Sequence, residues 1–299
     1  MLKIAALFIL FLGQNALWGW TMVNPSGEIN PAAVRMMEAL GIAVEPTAKS
    51  INAAMQDRFL RESCQKTHEI RSFNFKDKWE KILPYLREMS FVGAIFPDCK
   101  EINTLIFCGS SIPSMRAQIE FIRQIPNLKF NKIVFLTAHR ILEKFPDGLD
   151  PLFSMVRTEH DAAVKLIEEY FSKDISVYFS NNPEFVEMAE GNRRPSNRAD
   201  TVEKWLNEQN PDSKACLLVS VNPFINYQYE TVVGLLKKRG WFLGEKNLFK
   251  CGPCILESGV HLSPIVNKIF KLYLSNLELV VGATLDTIAH CLFTEISNF

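Results

Sequence analysis

Thr104-Leu-Ile-Phe-Cys-Gly-Ser-Ser111 ends one short apolar run. Lys132-Ile-Val-Phe-Leu-Thr-Ala-His139, Ser176-Val-Tyr-Phe-Ser180 and Ala215-Cys-Leu-Leu-Val-Ser-Val-Asn222 end three more. Each run closes on small or polar residues, and between Thr104 and Gly240 each is followed by a segment with helical spacing. Repeated strand-then-helix is the pattern of an α/β protein with a mostly parallel sheet, whose ligands sit at the carboxyl ends of the strands. The polar residues of these four runs fall at those ends.

Outward from this block the pattern turns helical on both sides. Val23-Asn-Pro-Ser-Gly-Glu-Ile-Asn-Pro31 is rich in turn formers, with Asn30 placed to cap and Pro31 to begin a helix that stops at Gly41. Helical patterns follow from about Lys49 to Glu62 and from Asp77 to Met89, the second with Trp79, Ile82, Leu83 and Leu86 on one stripe. After Lys250 a Cys-Gly-Pro-Cys turn leads to amphipathic helix from Ser263 onward. The expected division is therefore a leader at 1–19, a helical N-terminal region at 20–100, the α/β domain at 101–250 and a helical C-terminal extension at 251–299.

The leader has the anatomy of an export signal: Lys3, an unbroken apolar run from Ile4 to Leu12, then small residues at Ala16 and Gly19, with cleavage expected after either. Its apolar core is shorter than the roughly 20 residues a membrane span needs. An exported protein of the periplasm or cell envelope is the favoured expectation. An uncleaved anchor extended through Leu17 and Trp18, which would associate the chain with a membrane, and a buried first strand are the alternatives. Glu278 to Leu292 is the later stretch nearest to a span, and Glu278, Asp286 and His290 interrupt it.

With 33 basic and 33 acidic residues in 299, the chain has no overall field to draw it to nucleic acid, so no nucleic-acid partner is expected. Hydrophobic residues at 47% and 22 phenylalanines point to a filled interior rather than disorder. Seven cysteines leave at least one unpaired under any disulfide scheme. Cys108, Cys216 and Cys291 sit in apolar runs, where a thiol behaves as a small hydrophobe.

Four groups of residues carry candidate chemistry. The turn Cys108-Gly109-Ser110-Ser111, with Arg116 in the next helix, has small residues that let backbone N–H groups approach an anion at a helix start. It lacks the spacing of a dinucleotide fingerprint and the lysine of a Walker loop, so a tight packing turn explains it equally. Arg193, Arg194, Ser196, Asn197, Arg198, Asp200 and Thr201 form the most basic local segment, fit either to grip phosphate or carboxylate or to serve as a solvated loop that caps a helix. His139 and Arg140 with Glu159 and His160 supply an acid–base set if the fold brings them together, and surface residues if it does not. Cys251-Gly-Pro-Cys254 has the spelling of a thiol–disulfide exchange motif, but the segment before it, Asn247-Leu-Phe-Lys250, is short and only half apolar. Scattered histidines and the absence of paired Cys-x-x-Cys argue against a metal site.

The order of these features resembles the SanA-like and YdcF-like domain family of bacterial envelope proteins, a family without an assigned activity, over about residues 102–245. Phe107-Cys-Gly-Ser-Ser and Arg116 are similar to its glycine turn and first-helix arginine, Leu136-Thr-Ala-His139 to its second strand end, and Thr158-Glu-His-Asp-Ala-Ala163 to its acidic helix start. Pro195-Ser-Asn-Arg-Ala-Asp-Thr201 resembles its later helix-opening motif. Ser220-Val-Asn-Pro-Phe-Ile-Asn-Tyr-Gln228 keeps the strand end and a tyrosine but lacks the His and Arg expected there. The resemblance implies a Rossmann-like three-layer α/β fold with a mostly parallel sheet, flanked here by helical N- and C-terminal additions. It also implies a pocket for a small anionic or nucleotide-like ligand, with S-adenosylmethionine bound in one branch.

The expected ligand-binding residues are Gly109, Ser110, Ser111, Arg116, Asn197, Asp200 and Asn222. A thiol–disulfide oxidoreductase using Cys251 and Cys254, and a non-enzymatic interaction protein, are the alternatives.

Overall fold

The computed structural model describes residues 22–24, 26–60, 75–188, 191–209, 215–241, 248–256 and 260–298. The expected leader at 1–19 and the expected helix end at Glu62 lie outside the described residues. At the centre is a five-stranded parallel sheet built from β1 (Thr104–Cys108), β2 (Lys132–Leu136), β3 (Ser176–Phe179), β6 (Cys216–Val219) and β7 (Leu248–Cys251), in the order β3-β2-β1-β6-β7. Register is continuous: Ile106 stands opposite Val134 on one side and Leu218 on the other.

Sheet pleat sends alternate residues to opposite faces, and helices cover both. Leu105, Phe107, Ile133, Phe135, Leu217 and Val219 pack beneath α4 (Ile112–Arg123) and α5 (Glu159–Tyr170). Ile106, Cys108, Val134, Leu136 and Leu218 pack beneath α6 (Arg198–Gln209) and α7 (Ile225–Lys238), with the Trp205 side chain fully buried among them. This is a Rossmann-like three-layer fold. All five residues of β1 are buried, as expected for the central strand.

Helices from both ends of the chain build a further core. α1 (Pro31–Leu40), α2 (Ala48–Phe59) and α3 (Trp79–Glu88) share one cluster with α9 (Leu277–Ser297). α9 packs against α7 on one side and α2 on the other, while α8 (Pro264–Leu274) rests on α4. α9 is long and apolar enough to cross a membrane, yet 72% of its apolar window is buried inside the molecule, as in a core helix.

Local chemistry sets most of the boundaries. Asn30 Oδ1 accepts from Ala32 N, Pro31 opens α1, and Gly41 ends it with φ 79°. Thr158 and Asp161 form a reciprocal capping box on α5. α4 begins at Ile112, and Pro113 fits its first turn. Two elements have no counterpart in the expected pattern. The edge strand β7 is one; the other is a small antiparallel hairpin of β4 (Phe185–Glu187) and β5 (Arg193–Pro195), inserted between β3 and α6.

Candidate functional site

In a sheet of this order the chain reverses its direction of progress between β1 and β6, and the crevice beyond that gap is where such folds usually hold ligands. Here the protein itself covers the β6 side of that gap. Asn222, completely buried at the end of β6, donates through Nδ2 to Ser90 O at 3.0 Å and Gly93 O at 2.8 Å. Asn226 Nδ2 donates to Ser90 O as well, at 2.9 Å, and Ile95 pairs with Gly252 just beyond β7. The segment leaving α3 thus lies across the carboxyl ends of β6 and β7.

Polar side chains concentrate instead beyond β1, β2 and β3. Arg198, the first residue of α6, aims its guanidinium at two strand ends: Nη1 donates to Leu136 O and Nη2 to Gly109 O, each at 2.6 Å. Leu136 O accepts from Gly109 N as well, at 2.9 Å. From α5 comes Glu159, only 6% exposed, whose Oε1 accepts from Ala138 N at 3.1 Å and whose Oε2 accepts from Arg140 Nε at 3.1 Å. Glu159 N donates in turn to Arg140 O, so the two residues clamp each other through main chain and side chain.

Gly109 is what lets this carboxylate come so close. A Cβ there would stand 2.1 Å from Glu159 Oε1 and 2.6 Å from Leu136 O, well inside contact distance. The glycine that sequence reasoning linked to an external anion makes room for an internal one. A second internal carboxylate meets α4: buried Asp147 accepts from Ile112 N at 2.6 Å and from Glu143 N at 3.0 Å. The first-turn amide of Ile112 is therefore already satisfied.

The two histidines complete the cluster. His139 is exposed and its ring centroid lies 5.3 Å from that of His160, whose Nδ1 is 3.1 Å from Thr137 Oγ1. Burial and the neighbouring His139 hold His160 below the usual histidine range, favouring the neutral imidazole near pH 7. Ser180 stitches β3 to β2 by donating to Thr137 O and accepting from Thr137 N, at 3.0 and 2.9 Å. Three buried polar atoms in this cluster have no protein partner among the described residues: Asn182 Oδ1, Ser196 Oγ and Arg198 Nε. Buried polar atoms are normally satisfied, so these orphans, after β3 and at the approach to α6, mark places where water or a ligand belongs.

Of the residues expected at the site, Gly109, Ser110 and Ser111 lie within it, the two serines half-buried at the mouth of α4. Asn197 and Asp200 flank it at the start of α6. Asp200 accepts from Asn197 N at 2.7 Å and holds both arms of Arg194 at 2.7 Å, so against the cost of burial Arg194 keeps its carboxyl below the usual range.

Arg116 stands apart, with 9% of its side chain exposed. Nε and Nη2 fork onto Asp150 at 2.9 and 3.1 Å, while Nη1 donates to Glu169 at 2.7 Å and Tyr170 Oη at 2.9 Å. It ties α4 to α5 and the Asp150 loop rather than facing the strand ends. The third sequence candidate, His139 and Arg140 with Glu159 and His160, is the set the fold assembles. Arg198 belongs to the basic segment the sequence singled out, whereas Asn182 was harder to find, since an Asn-Asn after a strand is ordinary turn chemistry.

Cys251 and Cys254 are buried at the end of β7 and in the turn after it. A strand does precede the motif, contrary to the weak apolar signal of residues 247–250. What the redox arrangement also needs is a helix start beneath the thiols, and residues 255–256 form a bend. Burial pushes the Cys251 thiol well above its ordinary pKa, the reverse of what a nucleophilic cysteine requires. Cys108, Cys216 and Cys291 are buried within apolar clusters.

A shallow depression of about 310 Å³, lined by Glu120, Arg123, Gln124, His261 and Ser263, lies toward the carboxyl end of α4, away from this cluster. Compared with known proteins, the chain matches no family model and no curated protein sequence.

Proposed function

We propose that the chain is an exported, envelope-associated α/β protein that binds a small anionic or nucleotide-like ligand beyond the carboxyl ends of β1, β2 and β3. The observation that carries this is the convergence of Arg198, Arg140, His139, His160 and Glu159 on one strand edge, together with the orphaned Asn182 Oδ1, Ser196 Oγ and Arg198 Nε. Arg140, with 38% of its side chain exposed, and the exposed His139 face solvent and supply the positive and hydrogen-bonding groups that an anion would meet first. Asn182 and Ser196 lie deeper and would orient a polar group. The resemblance to SanA-like and YdcF-like domains supports the same ligand class. It moves from the β1/β6 gap to the neighbouring strand ends because Asn222 and Asn226 already hold the 90–93 segment.

Binding to the native state raises the melting temperature, so purified protein is to be screened against nucleotides, sugar phosphates and S-adenosylmethionine. At least one class is expected to raise Tm, with the shift reduced in His139→Ala and Arg140→Ala. Both side chains reach solvent, so the variants are expected to fold. A flat panel, or a shift indifferent to both substitutions, counts against the site.

A further inference from the structure

Among the described residues, nine large hydrophobic side chains are exposed, and six of them belong to the loops that leave the carboxyl ends of β2 and β3. Ile141, Phe145, Leu149 and Met155 lie in the first loop, Phe185 and Met188 in the second. Exposed hydrophobics scattered singly are ordinary, whereas a concentration of them at one end of a molecule marks an interaction surface. The backbone holds the two loops together. Ala138 pairs with Asn182, and His139 N donates to Asn182 O at 2.7 Å, so the loops leave the sheet side by side. The first loop closes on itself where Ile141 pairs with Thr158 and Leu142 N donates to Arg157 O at 3.0 Å, which returns Met155 toward Ile141.

Charge in the first loop is sorted by sign. Its two aspartates are buried and turn inward: Asp147 accepts from the Ile112 and Glu143 amides, and Asp150 from Arg116 and the Leu152 amide. Glu159, where the loop meets α5, is buried against Arg140. The cations stay outside. Lys144 and Arg157 are exposed, Arg140 keeps part of its side chain in water, and the remaining acid of the loop, Glu143, is half-buried. In the second loop Glu184 is half-buried, and the exposed Glu187 is matched by Arg193 at 3.1 Å. The outer surface therefore combines apolar side chains with an excess of cations. That is the makeup of a surface that lies on lipid, where apolar groups enter the acyl boundary and lysines and arginines meet anionic head groups.

We propose that these two loops form a membrane-docking surface for anionic lipid bilayers, with Ile141, Met155 and Phe185 entering the head-group region. Docking in this way sets His139 and Arg140 beside the lipid head groups. The inference does not depend on the ligand reading: a flat ligand panel leaves it standing, and its own failure leaves the ligand site standing.

The apolar run Ile4 to Leu12 has the makeup to bind lipid by itself, so sedimentation of the full chain with vesicles does not decide the matter. A probe inside the loop does. Met155 is 67% exposed, and the other methionines of the described residues are buried, Met188 excepted. Its oxidation by dilute peroxide is followed by peptide mass in the full chain, without vesicles, with phosphatidylcholine vesicles and with equimolar phosphatidylcholine and phosphatidylglycerol. Met155 oxidation is expected to slow on the anionic vesicles alone, and to speed up again as salt is raised. In a vesicle titration of this protection, Lys144→Gln with Arg157→Gln is expected to weaken binding by about fivefold for each cation removed. Ile141→Ser with Phe185→Ser is expected to weaken it by about tenfold in all. All four side chains reach solvent, so both pairs of substitutions are expected to keep the wild-type Tm. Met155 oxidised as fast on anionic vesicles as in buffer overturns the proposal. So does equal protection by neutral lipid, or protection that either pair of substitutions leaves intact.

Discussion

At the scale of single residues, two glycines stand at strand ends for the same reason and with different tolerance. A Cβ on Gly109 meets the end of the Glu159 side chain at 2.1 Å and the Leu136 carbonyl at 2.6 Å; one on Gly252 meets the Ser220 carbonyl at 1.6 Å. At Gly109 the nearest atom is a side-chain tip that can swing aside, with the Leu136 carbonyl a lesser clash, whereas at Gly252 the nearest atom is itself a backbone carbonyl, a full ångström closer than Leu136 O is at Gly109, and it moves only with its strand end. Overpacking of this kind typically costs about 1–3 kcal/mol. Gly252→Ala is therefore expected to lose more stability than Gly109→Ala in urea unfolding. Gly109→Ala in turn is expected to lose ligand-induced stabilisation out of proportion to its loss of fold, because the displaced carboxylate is part of the cluster. The reverse order of stabilities would show that the ends of β6 and β7 yield more readily than their backbone contacts imply. Gly109 was recognisable in the sequence as a turn residue, but its partner Glu159 lies 50 positions away and no local pattern links them.

Among the elements, α4 and α5 are joined by a charge cluster around Arg116, the residue that sequence reasoning assigned to ligand. Arg116 forks onto Asp150, whose side chain is fully buried, and Asp150 Oδ1 also accepts from Leu152 N at 3.0 Å. Removing one member of a buried pair strands the other's charge, at a cost of about 3–5 kcal/mol, whereas replacing both with apolar residues is often neutral. Asp150→Ala is expected to lower unfolding stability by that amount, and Arg116→Met with Asp150→Leu to recover most of it, both read from denaturant midpoints at constant slope. A double variant as unstable as the single one would mean that Glu169 and Tyr170 depend on the guanidinium as well. The strands β1, β2 and β6 were legible because burial on both faces makes them unbroken apolar runs. β7 was not, since Leu248-Phe-Lys-Cys251 includes two half-buried residues at the sheet edge. The β4–β5 hairpin, three residues on each side and largely exposed, carries too little alternation to stand out from a loop. Arg116 fitted a helix-start anion site by position alone; only the fold supplies the Asp150 that claims it.

Across the whole molecule, the helical additions from the two ends share one core with each other, and their junction with the sheet decides where a ligand can go. That core joins residues as distant in sequence as Met22 and Leu292, which no pattern of composition foretells. The junction itself is polar: Asn222 spends both Nδ2 hydrogens on Ser90 O and Gly93 O, and Asn226 adds a third bond to Ser90 O. Each such bond contributes about 0.5–1.5 kcal/mol net, and a buried carbonyl left without its donor costs about 1–3 kcal/mol. Asn222→Leu keeps the side-chain volume while removing the donors. It is expected to destabilise the docked 90–93 segment by about 2–4 kcal/mol, summing these terms without strict additivity. Hydrogen exchange is the measurement that localises the effect: protection should fall first in α1, α3 and the 90–95 segment, while β1 and β2 keep theirs. Uniform loss of protection would mean that sheet and helical layer unfold as one unit, and that the 90–93 segment is integral to the sheet. If protection is lost locally, the β1/β6 gap opens. Any ligand that then binds Asn222→Leu more tightly than wild type would identify that gap as a second place the fold can hold one.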